Sequence, residues 1–209
     1  MSVSNKDRGV NKKIRNILKE LFKSDSNIYT DIKNGIDKLE ESELVKLIND
    51  IFTKNVVNLS SDKIKKINLS MKNACPSLRT VNLPNVTSID TAAFSGCTSL
   101  TSIDLPNVIS IGNYTFNGCT KLTSIDLPNV TSIDDSVFDS CTSLTKIIIG
   151  TDSDICTLKS TNVFYSTPIA SGMGYIYVPD DKVDTYKSAT NWSTYASQIK
   201  PISELPSEE

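Results

Sequence analysis

CTSLTSIDLPNVISIGNYTFNG, from Cys97 to Gly118, is followed at once by CTKLTSIDLPNVTSIDDSVFDS, from Cys119 to Ser140. The two strings align at a period of 22 residues. Working outward, the register extends in both directions. Cys75, Cys97, Cys119 and Cys141 form one column, and Leu78, Leu100, Leu122 and Leu144 form another. Val81, Ile103, Ile125 and Ile147 keep step with Leu83, Leu105, Leu127 and Ile149. Phe94, Phe116 and Phe138 repeat with them, as do Pro84, Pro106 and Pro128. A period of this length predicts a solenoid, in which each unit is one coil.

The spacing inside a unit predicts its local structure. Ile103 and Leu105 alternate about Asp104, which is strand periodicity with one apolar face. Pro106-Asn107 ends the strand, because proline has no N–H for a ladder bond. Val108 and Ile111 then return to the interior, and Phe116 and Cys119 fill its far side. No unit can bury this face alone, so stability resides between neighbours stacked about 5 Å apart.

The string F-x-x-C-T-S-L-T-S-I-D-L-P-N-V resembles the BspA-like leucine-rich repeat of bacterial surface proteins, some protists and phages of gut bacteria. The resemblance is close over residues 74–150, as three full units and one partial one. It extends to GYIYVPDDKVDTYKSATNWSTYASQI, from Gly174 to Ile199, which is similar to the closing segment of such proteins. It implies adhesion, recognition or particle assembly, and no chemistry.

The flanks define the organisation. VVNLSSDKIKKINLSMKN, residues 56–73, reads as a degenerate first coil, since Leu59 precedes Val81, and Ile67 precedes Ile89, by one period. After Gly150 the register loosens: Ile155 lies one period after Ile133, but Phe164 is displaced. Asp180-Asp181 are expected to start a capping helix, with Val183, Tyr186, Trp192, Tyr195 and Ile199 along one side. The tail from Pro201 to Glu209 is acidic. In the first 55 residues Val10, Ile14, Ile17 and Leu21 form an apolar seam at helical spacing. The expected fold is therefore an α+β repeat protein. Amphipathic helices for anchoring or oligomerisation occupy 1–55, the solenoid 56–150, and an irregular last coil with its cap 151–209.

Composition narrows the function. Histidine is absent, which excludes Ser-His-Asp and Cys-His devices and His-based metal sites. There is no Gly-rich phosphate loop and no CxxC. The charges, 22 Lys and Arg against 24 Asp and Glu, leave a net −2 and no global field toward nucleic acid or membrane. No apolar leader core follows Met1 and no stretch spans a membrane. No catalytic residue, cofactor or metal is expected.

Candidate sites remain. The ladder of Cys97, Cys119 and Cys141, with Phe94, Phe116 and Phe138, reads as core, since buried free Cys acts as a small hydrophobe. Cys156 lies off the register and is expected to be the exposed, most reactive thiol. The outward column Asn82, Asp104 and Asp126, flanked by Ser102 and Ser124, is the first choice for an interaction face. Two aspartates are too few for Ca²⁺, which takes six or more oxygens. Asp90, Gly112 and Asp134 read as ordinary turn residues. The basic start (Lys6, Arg8, Lys12, Lys13, Arg15, Lys19 and Lys23) is also the wet side of the Val10–Leu21 seam, so nucleic acid is not the expected partner.

The combined expectation is a non-enzymatic interaction protein with protein partners. Its N-terminal helices anchor or oligomerise it, and the resemblance implies a phage virion as its location, after synthesis in the host cytoplasm. The alternatives are a bacterial surface adhesin and a cytoplasmic regulator or small enzyme.

Overall fold

The structure, a computed structural model, describes residues 76–150 and 154–207, with the backbone pairing of Asn58–Ser60 and Lys66–Ile67. The helical expectation for 1–55, its seam Val10, Ile14, Ile17 and Leu21, and Cys75 lie outside the described residues.

Each repeat forms one coil with two short strands. The first strand of successive coils gives β1 (Asn58–Ser60), β3 (Thr80–Asn82), β5 (Ser102–Asp104), β7 (Ser124–Leu127), β9 (Lys146–Ile149) and β11 (Tyr175–Val178). The second gives β2 (Lys66–Ile67), β4 (Ser88–Ile89), β6 (Ser110–Ile111), β8 (Ser132–Ile133) and β10 (Thr157–Leu158). All pairings are parallel, in the orders β1-β3-β5, β10-β8-β6-β4-β2 and β12-β11-β9-β7, where β12 is Ile199–Pro201. Leu59 pairs with Val81 and Ile67 with Ile89, the register that the period predicts.

The core is a set of ladders. Phe94, Phe116 and Phe138 are fully buried and stack with ring centroids 5.7 and 5.5 Å apart and planes within 2° and 11°. Ile125 and Leu127 point inward around the outward Asp126, so strand alternation places the apolar wall. The proline that ends each strand leaves a gap in the ladder, and the next residue fills it. Asn107 Nδ2 donates to Pro84 O at 2.6 Å, and Asn129 Nδ2 to Pro106 O at 2.7 Å. On the far side each coil donates forward to the next: Phe94 N–H to Thr115 O, Phe116 N–H to Val137 O, Phe138 N–H to Val163 O. That side uses left-handed backbone at two positions per coil, the first filled by Ala92, Tyr114 and Ser136 and the second by Gly96, Gly118, Ser140 and Ser166.

Beyond Gly150 the coil survives by stretching. Leu158, not Ile155, pairs with Ile133, so three residues have been inserted. Phe164 is the fourth member of the Phe stack, 5.6 Å from Phe138 and within 2° of parallel. Its displacement in sequence is absorbed by turns before it, because the buried ring is held by its neighbour and not by chain length. Thr167 takes the next place in the Cys ladder, donating its hydroxyl to Phe164 O at 2.7 Å.

The expected single helix over the closing segment is not formed. The segment folds as α1 (Val183–Ser188), a 3-10 turn at Trp192–Tyr195 and then β12. Asp180 does not cap α1; its carboxylate accepts the Ser203 N–H at 3.1 Å. Trp192 and Tyr195 pack on Phe164, Tyr195 edge-on at 5.1 Å. Their polar ends satisfy the open backbone of the last coil. Tyr186 Oη accepts from Cys156 N–H at 2.8 Å, and Trp192 Nε1–H donates to Cys156 O at 2.7 Å. Asn191 Nδ2 donates to Leu158 O at 2.7 Å, and the Tyr195 hydroxyl donates to Thr161 O. Side chains thus occupy donor and acceptor sites that a further coil would use, and Pro201 lies in the edge strand β12.

Two substitutions separate packing from backbone conformation. Phe116→Ala opens the middle of the stack and is expected to cost about 3–5 kcal/mol. Gly118→Ala adds a methyl that meets nothing closer than 3.8 Å, so its cost is the left-handed backbone alone, about 1–2 kcal/mol. Urea denaturation of both variants checks the ratio.

Candidate interaction surface

The predicted face is built by the outward side chains of the first strands. Asn82 pairs directly with Asp104, and Thr80 with Ser102, within β3 and β5. Ser124 and Asp126 stand on β7 and pair with Lys146 and Ile148 of β9. The five predicted residues therefore share one side of the solenoid but fall on two sheets, which divide between β5 and β7. That junction is where Asp104 and Asp126 are neighbours, and like charges in adjacent positions disfavour close pairing. Lost solvation beside the neighbouring coils pushes the Asp126 carboxyl up from its ordinary value. The Leu127 N–H pulls it down, the Asp104 charge adds to the rise, and Lys146 opposes it.

The rows change character toward the C-terminus. The Thr80–Ser102–Ser124 row continues through Lys146 to Tyr175, and the Asn82–Asp104–Asp126 row through Ile148 to Tyr177. Tyr175 is exposed and carries the Lys200 ammonium 4.3 Å above its ring. Sequence reasoning missed this aromatic end. The alternation in YIYV was visible, but Ile147 pairs with Ile176, an offset of 29 residues that the 22-residue period hides.

A second feature was read only as turn. Asp90, Gly112 and Asp134 line an open groove of about 470 Å³ on the outer side of β4, β6 and β8, with Ser110 and Ser132. Gly112 makes the notch: a Cβ there would lie 2.8 Å from the Thr91 nitrogen. Beside it, one carboxylate oxygen of Asp135 is buried with no hydrogen-bond partner among the described residues.

The four described cysteines are interior. Cys97, Cys119 and Cys141 are buried and unpaired. The Cys119 thiol donates to Phe94 O at 3.3 Å and that of Cys141 to Phe116 O at 3.1 Å, so the ladder is tied to the Phe stack. Burial raises the Cys119 pKa well above its ordinary value and pushes Cys141 up to about 12. Cys156, expected to be exposed and reactive, is fully buried, and burial pushes it up to about 12 as well. The side chains of Tyr186 and Trp192 close over its backbone, a contact no local pattern announces. Among the described residues no group of three His, Cys, Asp or Glu could hold a metal ion, and no helix is long and apolar enough to cross a membrane.

With this geometry in hand, residues 65–179 match the BspA type leucine-rich repeat region in six copies. The chain belongs to the BspA-type leucine-rich repeat family. Six copies replace the three full units and one partial one read from spacing, over a span that takes in the end of the degenerate first coil as well as the stretched coils after Gly150. Among solved structures, a leucine-rich repeat protein from Bacteroides ovatus is 23% identical with a TM-score of 0.51. That match covers 69% of this chain and 35% of the other. A leucine-rich repeat protein of T. pallidum is 24% identical with a TM-score of 0.38, over 59% of this chain and 64% of its own. The chain therefore spans under two thirds of the length of either. Among curated proteins nothing matches.

The thiols and Asp126 give separate tests. A thiol-reactive dye is expected to label Cys97, Cys119, Cys141 and Cys156 only after denaturation, as read by peptide mass spectrometry. For Asp126, the folded chain holds the proton more tightly than the unfolded chain does. Stability attributable to this group is therefore lost as pH rises from the ordinary carboxylate value, about 4, through the raised folded one. Asp126→Asn is expected to melt higher than the parent at neutral pH, with the gain vanishing at more acidic pH.

Proposed function

We propose that this BspA-type leucine-rich repeat protein is a non-enzymatic interaction protein that binds a protein partner through the first-strand face. Asn82, Ser102, Asp104, Ser124 and Asp126 form its polar part, and Tyr175 its aromatic end. The observation that carries the reading is the contrast between interior and surface. Phe94, Phe116, Phe138 and Phe164 leave the interior filled, while flat outward rows cross successive coils. Recognition by a broad face suits this geometry better than enclosure of a small substrate. Tyr and Arg are the side chains most often central to such contacts, and an exposed Tyr175 at the end of a polar row is a natural anchor.

The finer reading is a phage virion component, in which residues 1–55 attach or oligomerise the chain and the solenoid is displayed. Its support is the order of the parts. An apolar seam and a basic run precede a short repeat module whose far edge is sealed by Tyr186, Asn191, Trp192 and Tyr195. A module closed at that end attaches by its other end or by its faces. Mass spectrometry of gradient-purified particles is expected to find the protein at a constant ratio to the major structural proteins. Absence from particles, with cleavage by protease added to intact cells, would replace this reading with a surface adhesin.

A further inference from the structure

We propose that the first-strand face carries a one-sided hinge between β5 and β7, held open by the carboxylates of Asp104 and Asp126 and closed when that pair takes up a proton. The inference concerns the shape of this face and stands whether or not a protein partner binds there.

The seam is confined to one side of the stack. At the steps on either side of it the first strands are bonded. Thr101 N–H donates to Arg79 O at 2.9 Å, Leu83 N–H to Asp104 O at 3.1 Å, and Thr145 N–H to Thr123 O at 3.0 Å. Between β5 and β7 the counterparts, Thr123 N–H to Thr101 O and Leu105 N–H to Asp126 O, are not made among the described residues, and the sheet divides. Ile103, at the seam, is 9% exposed, against 2% for Val81 and 3% for Ile125 in the same inward column. The same two coils remain joined elsewhere. Thr131 N–H donates to Ile109 O at 2.8 Å on the second-strand side, and Phe116 N–H to Val137 O at 2.9 Å on the far side. Phe116 and Phe138 stay 5.5 Å apart, but their planes differ by 11°, against 2° at the steps before and after. Coils bonded along two sides and free along the third can open and close locally without unfolding.

Charge is what distinguishes the open step. Residues 101–108 and 123–130 are the same string, TSIDLPNV, so strand length, propensity and proline position are alike across the seam. On its paired side Asp104 faces the neutral Asn82, and Asp126 faces Ile148. At the seam the two carboxylates are neighbours in the outward column, and adjacent like charges oppose pairing. The charged groups bearing on Asp126 are Asp104 from β5 and Lys146 from β9. Lost solvation raises its carboxyl from the ordinary value and the Asp104 charge adds to the rise, against the Leu127 N–H and Lys146. A raised carboxyl takes its proton in mildly acidic solution, and removing one of the two charges lets the strand edges meet. At neutral pH the face is two plates, β1-β3-β5 and β7-β9-β11-β12, and in acid it is one continuous sheet.

Amide hydrogen exchange by NMR on the full chain tests this, with each rate divided by that of an unstructured peptide at the same pH. At pH about 7 the Thr123 and Leu105 amides are expected to be at least about tenfold less protected than those of Thr101, Leu83 and Thr145. At pH about 4.5 they should gain at least about tenfold protection, while Thr145 and Thr131 do not move. Asp126→Asn should show that gain already at neutral pH and lose its pH dependence. Asp104→Asn does the same from the other strand, and serves alone if the first variant folds poorly. Equal protection at neutral pH would remove the seam. Protection that acid and the variants leave unchanged would remove charge as its cause. A gain in acid as large in Asp126→Asn as in the parent would place the proton elsewhere, and a gain shared by Thr131 would make it a general tightening. Each of these four results overturns the proposal.

Discussion

Every coil has an apolar wall that it cannot bury by itself, and the wall of the next coil is what covers it. That mutual burial is the constraint on which the rest depends. It explains why Phe94, Phe116, Phe138 and Phe164 stack with nearly parallel planes although the chain between the last two is longer. It also explains the roles of the polar residues inside the coil. Asn107 and Asn129 bridge the prolines, and the Cys119 and Cys141 thiols bridge to Phe carbonyls, because a stack held edge to edge must satisfy its backbone at every step.

A stack needs an end. The last coil exposes an apolar face and an unpaired backbone edge, and both would recruit another chain. The closing segment deals with the two together. Trp192 and Tyr195 lay aromatic area on Phe164 while their N–H and O–H reach the carbonyls of Cys156 and Thr161. Aromatic residues with a polar tip suit this position because one side chain replaces both the missing ring and the missing ladder bond. The fold thereby acquires a direction: one end is closed to extension, and the sides remain as contact surfaces.

Those sides differ physically. The first-strand side is broad, polar over β3 to β7 and aromatic at β11, and its row crosses from one sheet to the next between β5 and β7. The second-strand side is notched at Gly112 and bordered by carboxylates. Both follow from what a solenoid leaves free. Inward positions are dictated by packing and admit only small changes such as Ala93, Thr115 and Val137, all fully buried, while changes of charge fall in the outward columns. An Asp, a Gly or a Lys there changes the surface without disturbing the stack.

The sequence by itself determined the coil, its period, the inward columns and the outward face from Asn82 to Asp126. All of these are local and repeated, so one unit predicts the next. It did not reveal that Leu158 replaces Ile155 opposite Ile133, or that Cys156 is buried. Nor did it show that the closing segment is a short helix, a turn and a strand, or that Asp90 and Asp134 border a groove. Each of these depends on residues far apart in the chain meeting once and not periodically. The tertiary structure decided them because a buried ring and an unpaired backbone edge are satisfied by whatever side chain the packed neighbour brings, and not by spacing.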